Sequence, residues 1–218
     1  MHTAIGTTLG SLADGIDIAA VCHMSTGRCF VVATILGGAA LLATQATAGP
    51  IDVRNSKLTV FVYKAGLFSA FADNHVISAP IASGAIVTAP APAIELVVNA
   101  ADLVPLDPDL DPAKRAEVRT RMLGEEVLDT GKFPTITFAS TAIEPAGSDR
   151  WNVSGRLTIH GVTKAVTIPV VRADRVYRGE TRIRQRDFGI NPIRIAGGAV
   201  SVKDELKVEF EISAAEGN

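Results

Sequence analysis

The sequence predicts an all-β fold, an antiparallel barrel of about eight strands with one short helical insertion. Three observations carry that expectation. Several runs alternate apolar and polar residues with a period of two, as half-buried strands do. Gly- and Pro-punctuated connections separate these runs, and no strand–helix–strand alternation marks a parallel sheet.

From Gly49 onward the runs come in order. Ile51–Lys64 is rich in β-branched and aromatic residues, and Val76–Thr88 and Ile94–Val98 follow with turn residues between them. Asp107-Pro-Asp-Leu-Asp-Pro112 is a turn-rich lead in which Asp111 suits an N-cap and Pro112 the first helical position. Ala113–Leu123 then reads as a short helix that stops near Gly124. In Trp151–Ile159 the residues Trp151, Val153, Gly155, Leu157 and Ile159 share one face, and Asn152, Ser154, Arg156 and Thr158 share the other. Val166, Ile168 and Val170 form one face of Val162–Val171, and Leu206, Val208, Phe210 and Ile212 form one face of Asp204–Ile212. Each is a strand with one wet and one apolar side, the mark of an antiparallel sheet. An eight-stranded barrel has an interior that side chains can fill or that can hold one slender ligand.

The N-terminal stretch has a separate character. Arg28 precedes the apolar run Cys29–Ala43, and Ala46-Thr47-Ala48 is a small-x-small triplet. The run is shorter than the about 20 apolar residues of a membrane-spanning helix. Residues 1–48 are therefore read as a signal peptide cut after Ala48, with translation starting at Met24, and 49–218 as the barrel domain. The expected location is periplasmic or secreted, with no stable membrane anchor after cleavage. Cys22 and Cys29 both fall in the leader, so the mature region would carry no thiol for a disulfide, a zinc site or nucleophilic attack.

The 218 residues carry 21 basic and 23 acidic side chains, a formal charge of −2, and aromatic content is 5%. Neither a basic field nor a stacking platform for nucleic acid is present. No nucleophile elbow, phosphate loop or dinucleotide fingerprint occurs. Asp187-Phe-Gly189 matches a kinase tripeptide by letters alone, and Asn152-Val-Ser154 is a glycosylation sequon inside an expected strand.

The segment Val153-Ser-Gly-Arg-Leu-Thr-Ile-His-Gly-Val-Thr-Lys-Ala-Val166 resembles the YceI-like family of polyisoprenoid-binding, lipocalin-like proteins. Gly131-Lys-Phe-Pro-Thr-Ile-Thr-Phe-Ala-Ser140, Arg186-Asp-Phe-Gly189 and Val202-Lys-Asp-Glu-Leu206 fit the same family in the same order, with an early strand beginning Ile51-Asp52. The resemblance implies a lipocalin-like barrel whose apolar tunnel takes an isoprenoid chain. It departs from the family pattern at Ala65–His75, where Phe68 and Phe71 are spaced like one face of a helical turn.

Under that reading the partner is a long-chain apolar lipid, no cofactor or metal is expected, and no residue is assigned a catalytic role. The tunnel lining expected from the alternation is Phe138, Val153, Leu157, Ile168, Val170, Val208 and Phe210, with Trp151 and Phe71 nearer an opening. The same residues would equally form a filled core. Polar head-group contacts are expected from His75, His160 and Arg184. His160-Gly161 also suits a tight hairpin turn, and Arg182, Arg184 and Arg186 alternate as a basic stripe that a solvated exterior explains equally well. Glu125, Glu126 and Asp129 read as a solvated acidic patch. Two alternatives stand beside the carrier: an enzyme acting on a lipid or quinone through the histidines, and an envelope partner-binding domain or homodimer pairing through strand edges.

Overall fold

The computed structural model describes residues 47–65, 74–89, 91–195 and 200–215. Phe68, Phe71 and all of the expected leader but its last two residues lie outside them. In chain order the elements are β1 (Thr47–Pro50), β2 (Lys57–Val62), β3 (Lys64–Ala65), β4 (His75–Ser78), β5 (Ile81–Ala89), β6 (Ala93–Asn99), β7 (Val104–Pro105) and α1 (Pro112–Leu123). They continue with β8 (Thr135–Gly147), β9 (Arg150–Ile159), β10 (Val162–Ala173), β11 (Val176–Arg184), β12 (Arg194–Ile195), β13 (Val200–Val202) and β14 (Glu205–Ser213). Eight of these strands have six residues or more, in line with the expected number.

Eleven strands form one antiparallel sheet in the order β1-β5-β6-β8-β9-β10-β11-β14-β2-β4-β7, and β12-β13-β3 form a small second sheet. The large sheet curls because one stretch of chain serves two neighbours. β4 and β5 are separated only by Ala79 and Pro80; β4 pairs with β2, whereas β5 pairs with β6 and β1. Pro80 has no N–H to give a ladder, so the strand breaks there and changes partner. A second seam joins Ile51 to Ala214 by a single bridge, backed by Asp52 N–H donating to the Ser213 carbonyl at 2.9 Å.

Local chemistry explains both the agreements and the departures. The helix begins where the sequence indicates, since the Asp111 carboxylate accepts from the Ala113 and Lys114 amides and Pro112 opens the first turn. The β9–β10 hairpin turns at His160 and Gly161, both with positive φ (51° and 72°), the pairing that a two-residue turn of matched twist requires. Ile51–Lys64, in contrast, is not one strand. The Asp52 carboxylate accepts from the Arg54 and Asn55 amides and from Asn55 Nδ2, folding residues 52–55 into a turn before β2 begins. Arg186 likewise leaves the expected stripe. β11 ends at Arg184, and Gln185–Phe188 forms a 3₁₀ turn held by Gln185 N–H to the Asp204 carbonyl and Gln185 Nε2 to the Lys203 carbonyl. Asp129, expected in solvent, is buried and ion-paired with Lys132 at 2.8 Å.

The apolar residues sort into two clusters inside the curl. The larger gathers Ile77, Ala79, Val98, Leu103, Leu128, Ile159, Ile183, Phe188 and Ile190. The smaller centres on Ile51, Ile81 and Ile212, with Phe210, Tyr177 and Leu96 packed against it.

Candidate functional site

One end of the barrel encloses a cavity of about 530 Å³. Its walls come from the strand ends that meet there: Val60 and Val62 of β2, Ile77 of β4, Ile136 of β8, Ile159 of β9, Ile183 of β11 and Leu206 of β14. Strand alternation turns each of these inward. The connections add Leu103, Val127, Leu128, Phe188 and Ile190, and β13 adds Val202. From α1 come Lys114, Glu117, Val118, Arg121 and Met122, three and four residues apart, so one face of the helix forms a side of the cavity. Arg119, off that face, ties the helix down by donating to the Leu103 and Ala101 carbonyls at 3.3 and 2.8 Å.

Polar groups border this space rather than fill it. His75 lines it and donates from Nδ1 to Asp107 Oδ2 at 2.8 Å, while Asp107 Oδ1 accepts from the Val76 amide at 2.9 Å. The Asp107 side chain is 9% exposed and that of His75 21%. A carboxylate accepting at Nδ1 fixes the ring's orientation and leaves Nε2 as its remaining hydrogen-bonding atom. Asp107 is joined to β4 across 32 residues of chain, and nothing in the local sequence at His75 announces it. Tyr63, Lys64, Gln185 and Ser201, with Lys114, Glu117 and Arg121 of α1, are the cavity's other polar lining residues.

The strand register places the other expected site residues. Phe138, Val153, Leu157, Ile168, Val170, Val208 and Phe210 occupy inward-facing rows, since Phe138 pairs with Leu157, Val153 with Ile168, and Phe210 with Gly179. None of them lines the cavity, which lies nearer the β9 C-terminus and the β14 N-terminus. Trp151 sits at the other end of β9, its ring 6.1 Å from Tyr177 and beneath the Arg172 guanidinium. Phe71 lies outside the described residues. His160 is at the hairpin tip against Phe133, ring centres 4.4 Å apart, and borders a more open groove with Glu125, Arg186 and Arg194. Arg184 is exposed on the outer face, opposite the inward Ile183. Sequence reading missed Ile77, Ile136 and Ile183, although Ile159 and Leu206 were on the alternating faces already identified.

The outer face carries the charge. Arg178 pairs with Glu211 at 2.9 Å, Arg182 with Glu205 at 2.6 Å and Lys207 with Glu209 at 2.6 Å. The Arg178 guanidinium holds the Glu211 carboxyl below its ordinary range, and the Asn55 side chain does the same for Asp52. The Glu205 carboxylate raises Arg182 in turn. Among the described residues no group of three or more His, Cys, Asp or Glu is placed to hold a metal ion, and no helix is long and apolar enough to cross a membrane.

Comparison with known proteins agrees with this architecture. The crystal structure of Burkholderia cenocepacia BcnA superposes with a TM-score of 0.60 at 22% identity, covering 76% of this chain and 99% of that one. A polyisoprenoid binding domain from Saccharophagus degradans superposes with a TM-score of 0.54 at 16% identity, covering 78% of this chain and all of that one. Both show a shared fold. A UPF0312 protein of Shewanella oneidensis is 36% identical over 111 residues, 45% of this chain and 56% of the relative. One of Vibrio vulnificus is 34% identical over 107 residues, 44% of this chain and 55% of the relative. The chain thus spans about half the length of the curated relatives it matches. The model of the YceI-like domain matches residues 50–214, from the end of β1 to the bridge that follows β14, and the chain belongs to that family.

Proposed function

We propose that the protein is an exported carrier of a long apolar lipid of isoprenoid type, held with its hydrocarbon chain inside the cavity. The observation that carries this reading is the cavity itself, about 530 Å³ walled mainly by apolar side chains, with Lys114, Glu117 and Arg121 on its helical side. A volume of that size lies within the range of small-molecule sites, roughly 300–1,000 Å³. It is some three and a half times the ~150 Å³ apolar void that accepts one benzene ring, so it suits on the order of twenty carbons. Burial of hydrocarbon supplies the affinity at about 25 cal/mol per Å², which needs few polar anchors. His75, oriented by Asp107, is the anchor offered to a polar head. The Saccharophagus degradans domain, whose fold this chain shares, is a polyisoprenoid binder, which supports the ligand class.

Export rests on the Arg28–Ala48 segment. Cleavage after Ala48 falls within β1 and leaves Gly49 and Pro50 paired with Ile86 and Ala85 of β5. Solvent extraction of the purified protein followed by mass spectrometry is expected to release a prenyl or similar long-chain lipid, and fractionation to find the protein outside the cytoplasm. Protein that yields no lipid and displaces no apolar fluorescent probe would overturn the carrier. Replacing His75 and His160 together separates a carrier, which retains its lipid, from an enzyme, which loses turnover.

A further inference from the structure

The helical side of the cavity differs in chemistry from the rest of its wall. It presents Lys114, Glu117 and Arg121, two cations to one carboxylate, at spacings that put all three on one face of α1. Each of the three is exposed, so each also reaches solvent. The helix as a whole carries Lys114, Arg115, Arg119 and Arg121 against Glu117, in a chain whose formal charge is −2. Among the described residues Glu117 is the single carboxylate in the lining, and both oxygens of Asp107 are bonded to His75 and the Val76 amide. The Lys114 ammonium has no hydrogen bond or ion pair among the described residues, its backbone N–H alone being given to Asp111. Arg121 Nε stands 3.7 Å from Glu126 Oε2, longer than a hydrogen bond, and a guanidinium has four further N–H groups to offer. Lys64 also lines the cavity but is engaged in an interaction of its own.

We infer that the lipid held here has an anionic head, a phosphate or a carboxylate, received by Lys114 and Arg121 of α1 while its chain fills the cavity. The inference rests on the carrier reading above and adds to it the class of head group. Burial of hydrocarbon favours any chain of suitable length and is blind to what the chain carries at its end. The helix supplies the discrimination. Low-dielectric walls focus the field of neighbouring charges, so cations beside an apolar cavity attract an anion arriving with its chain. Arg121 brings a planar fork of N–H groups and Lys114 a compact point charge, both suited to phosphate or carboxylate oxygens. A charge pair in contact with solvent changes an equilibrium constant by up to about fivefold. With two cations attracting and Glu117 repelling, a head of unit negative charge gains about fivefold over a neutral head on the same chain.

The test compares each anion with the alcohol of the same chain: geranylgeranyl phosphate with geranylgeraniol, and arachidonic acid with arachidonyl alcohol. Dissociation constants come from displacement of N-phenyl-1-naphthylamine from the full-length chain, as wild type and as Lys114→Gln, Arg121→Gln, the double variant and Glu117→Gln. These are exposed helix positions, and glutamine is a good helix former, so the variants are expected to keep the wild-type melting temperature. In wild type one or both anions should bind about fivefold tighter than the matching alcohol, and the pair that does so names the head as phosphate or carboxylate. Either single cation variant should abolish that preference, the double variant should reverse it, and Glu117→Gln should raise it to about twenty-five-fold. Raising salt from about 0.01 M to about 1 M should erase the preference and leave the alcohols bound no more weakly. An anion preference absent from both pairs overturns the inference, as does one that no α1 variant moves or that salt leaves unchanged. Failure of wild type to bind any of the four lipids refutes the carrier reading itself.

Discussion

Gly155→Ala is the most direct test of how tightly the middle of the barrel is packed. The added methyl would meet Phe138 Cε2 and Cζ at 2.5 Å and the Ala139 carbonyl oxygen at 2.7 Å. The ring can rotate away, but the carbonyl belongs to the β8–β9 ladder and cannot move without breaking it. Overpacking of this kind costs about 1–3 kcal/mol. The loss of glycine's freedom in the unfolded chain returns about 0.4–1 kcal/mol. With the backbone contact placing the cost in the upper part of its range, the net destabilisation is about 2 kcal/mol, or ~4–8 °C in melting temperature for a domain of this size. Gly131→Ala is the control, because nothing lies within 4 Å of its Cβ position, and it is expected to be neutral or slightly stabilising. Urea unfolding of the two variants measures the difference through the midpoint at constant slope. Combining Gly155→Ala with Phe138→Leu should recover part of the loss, since residues in contact couple by about 0.5–3 kcal/mol. A Gly155→Ala protein as stable as wild type, or strict additivity in the double variant, would refute the packing argument.

Asp107→Ala removes the acceptor for both the Val76 amide and His75, leaving a buried donor unpaired at a cost of about 1–3 kcal/mol, whereas Asp107→Asn keeps one carbonyl acceptor and is expected to lose less; urea titration ranks them. The depressed carboxyls of Asp52 and Glu211 have the opposite pH signature to a cation. A carboxyl with a lowered folded pKa stabilises above its unfolded value, and that contribution disappears as pH falls through the folded value. Melting temperature is therefore expected to drop on the acid side of the carboxylate range, and Asp52→Asn with Glu211→Gln should flatten that acid limb; an unaltered limb contradicts the assignment.

Facing was legible in the sequence; depth was not. Leu157 and Ile159 read identically, yet Ile159 borders the cavity and Leu157 lies below it. Alternation with a period of two says which side of a strand a residue occupies and nothing about its level along the barrel axis. The helix from Pro112 to Leu123 could be read closely because its Asp111 cap and Gly124 stop are local chemistry. The His75–Asp107 pair could not, since it forms only when β4 and β7 are brought side by side across the chain. The break at Ala79–Pro80 had a local sign in the proline, but the change of partner from β2 to β6 and β1 did not.

The position of β14 in the sheet orders the molecule's assembly in time. Its two neighbours are β11, from which residues 185–204 with β12 and β13 separate it in the chain, and β2, from the opposite end of the domain; Ser213 N–H reaches Ser56 Oγ across 157 residues. A growing chain can build the meander from β8 through β11 as each strand emerges, but β2 has no partner on that side until residues 205–213 arrive. Pairings of such sequence separation are slow to form, and here one late strand completes both the wall and the enclosure. Until then the inward faces of β2, β9 and β11 stay open to water, so a truncation within β14 would leave an aggregation-prone open sheet in place of a slightly shorter barrel.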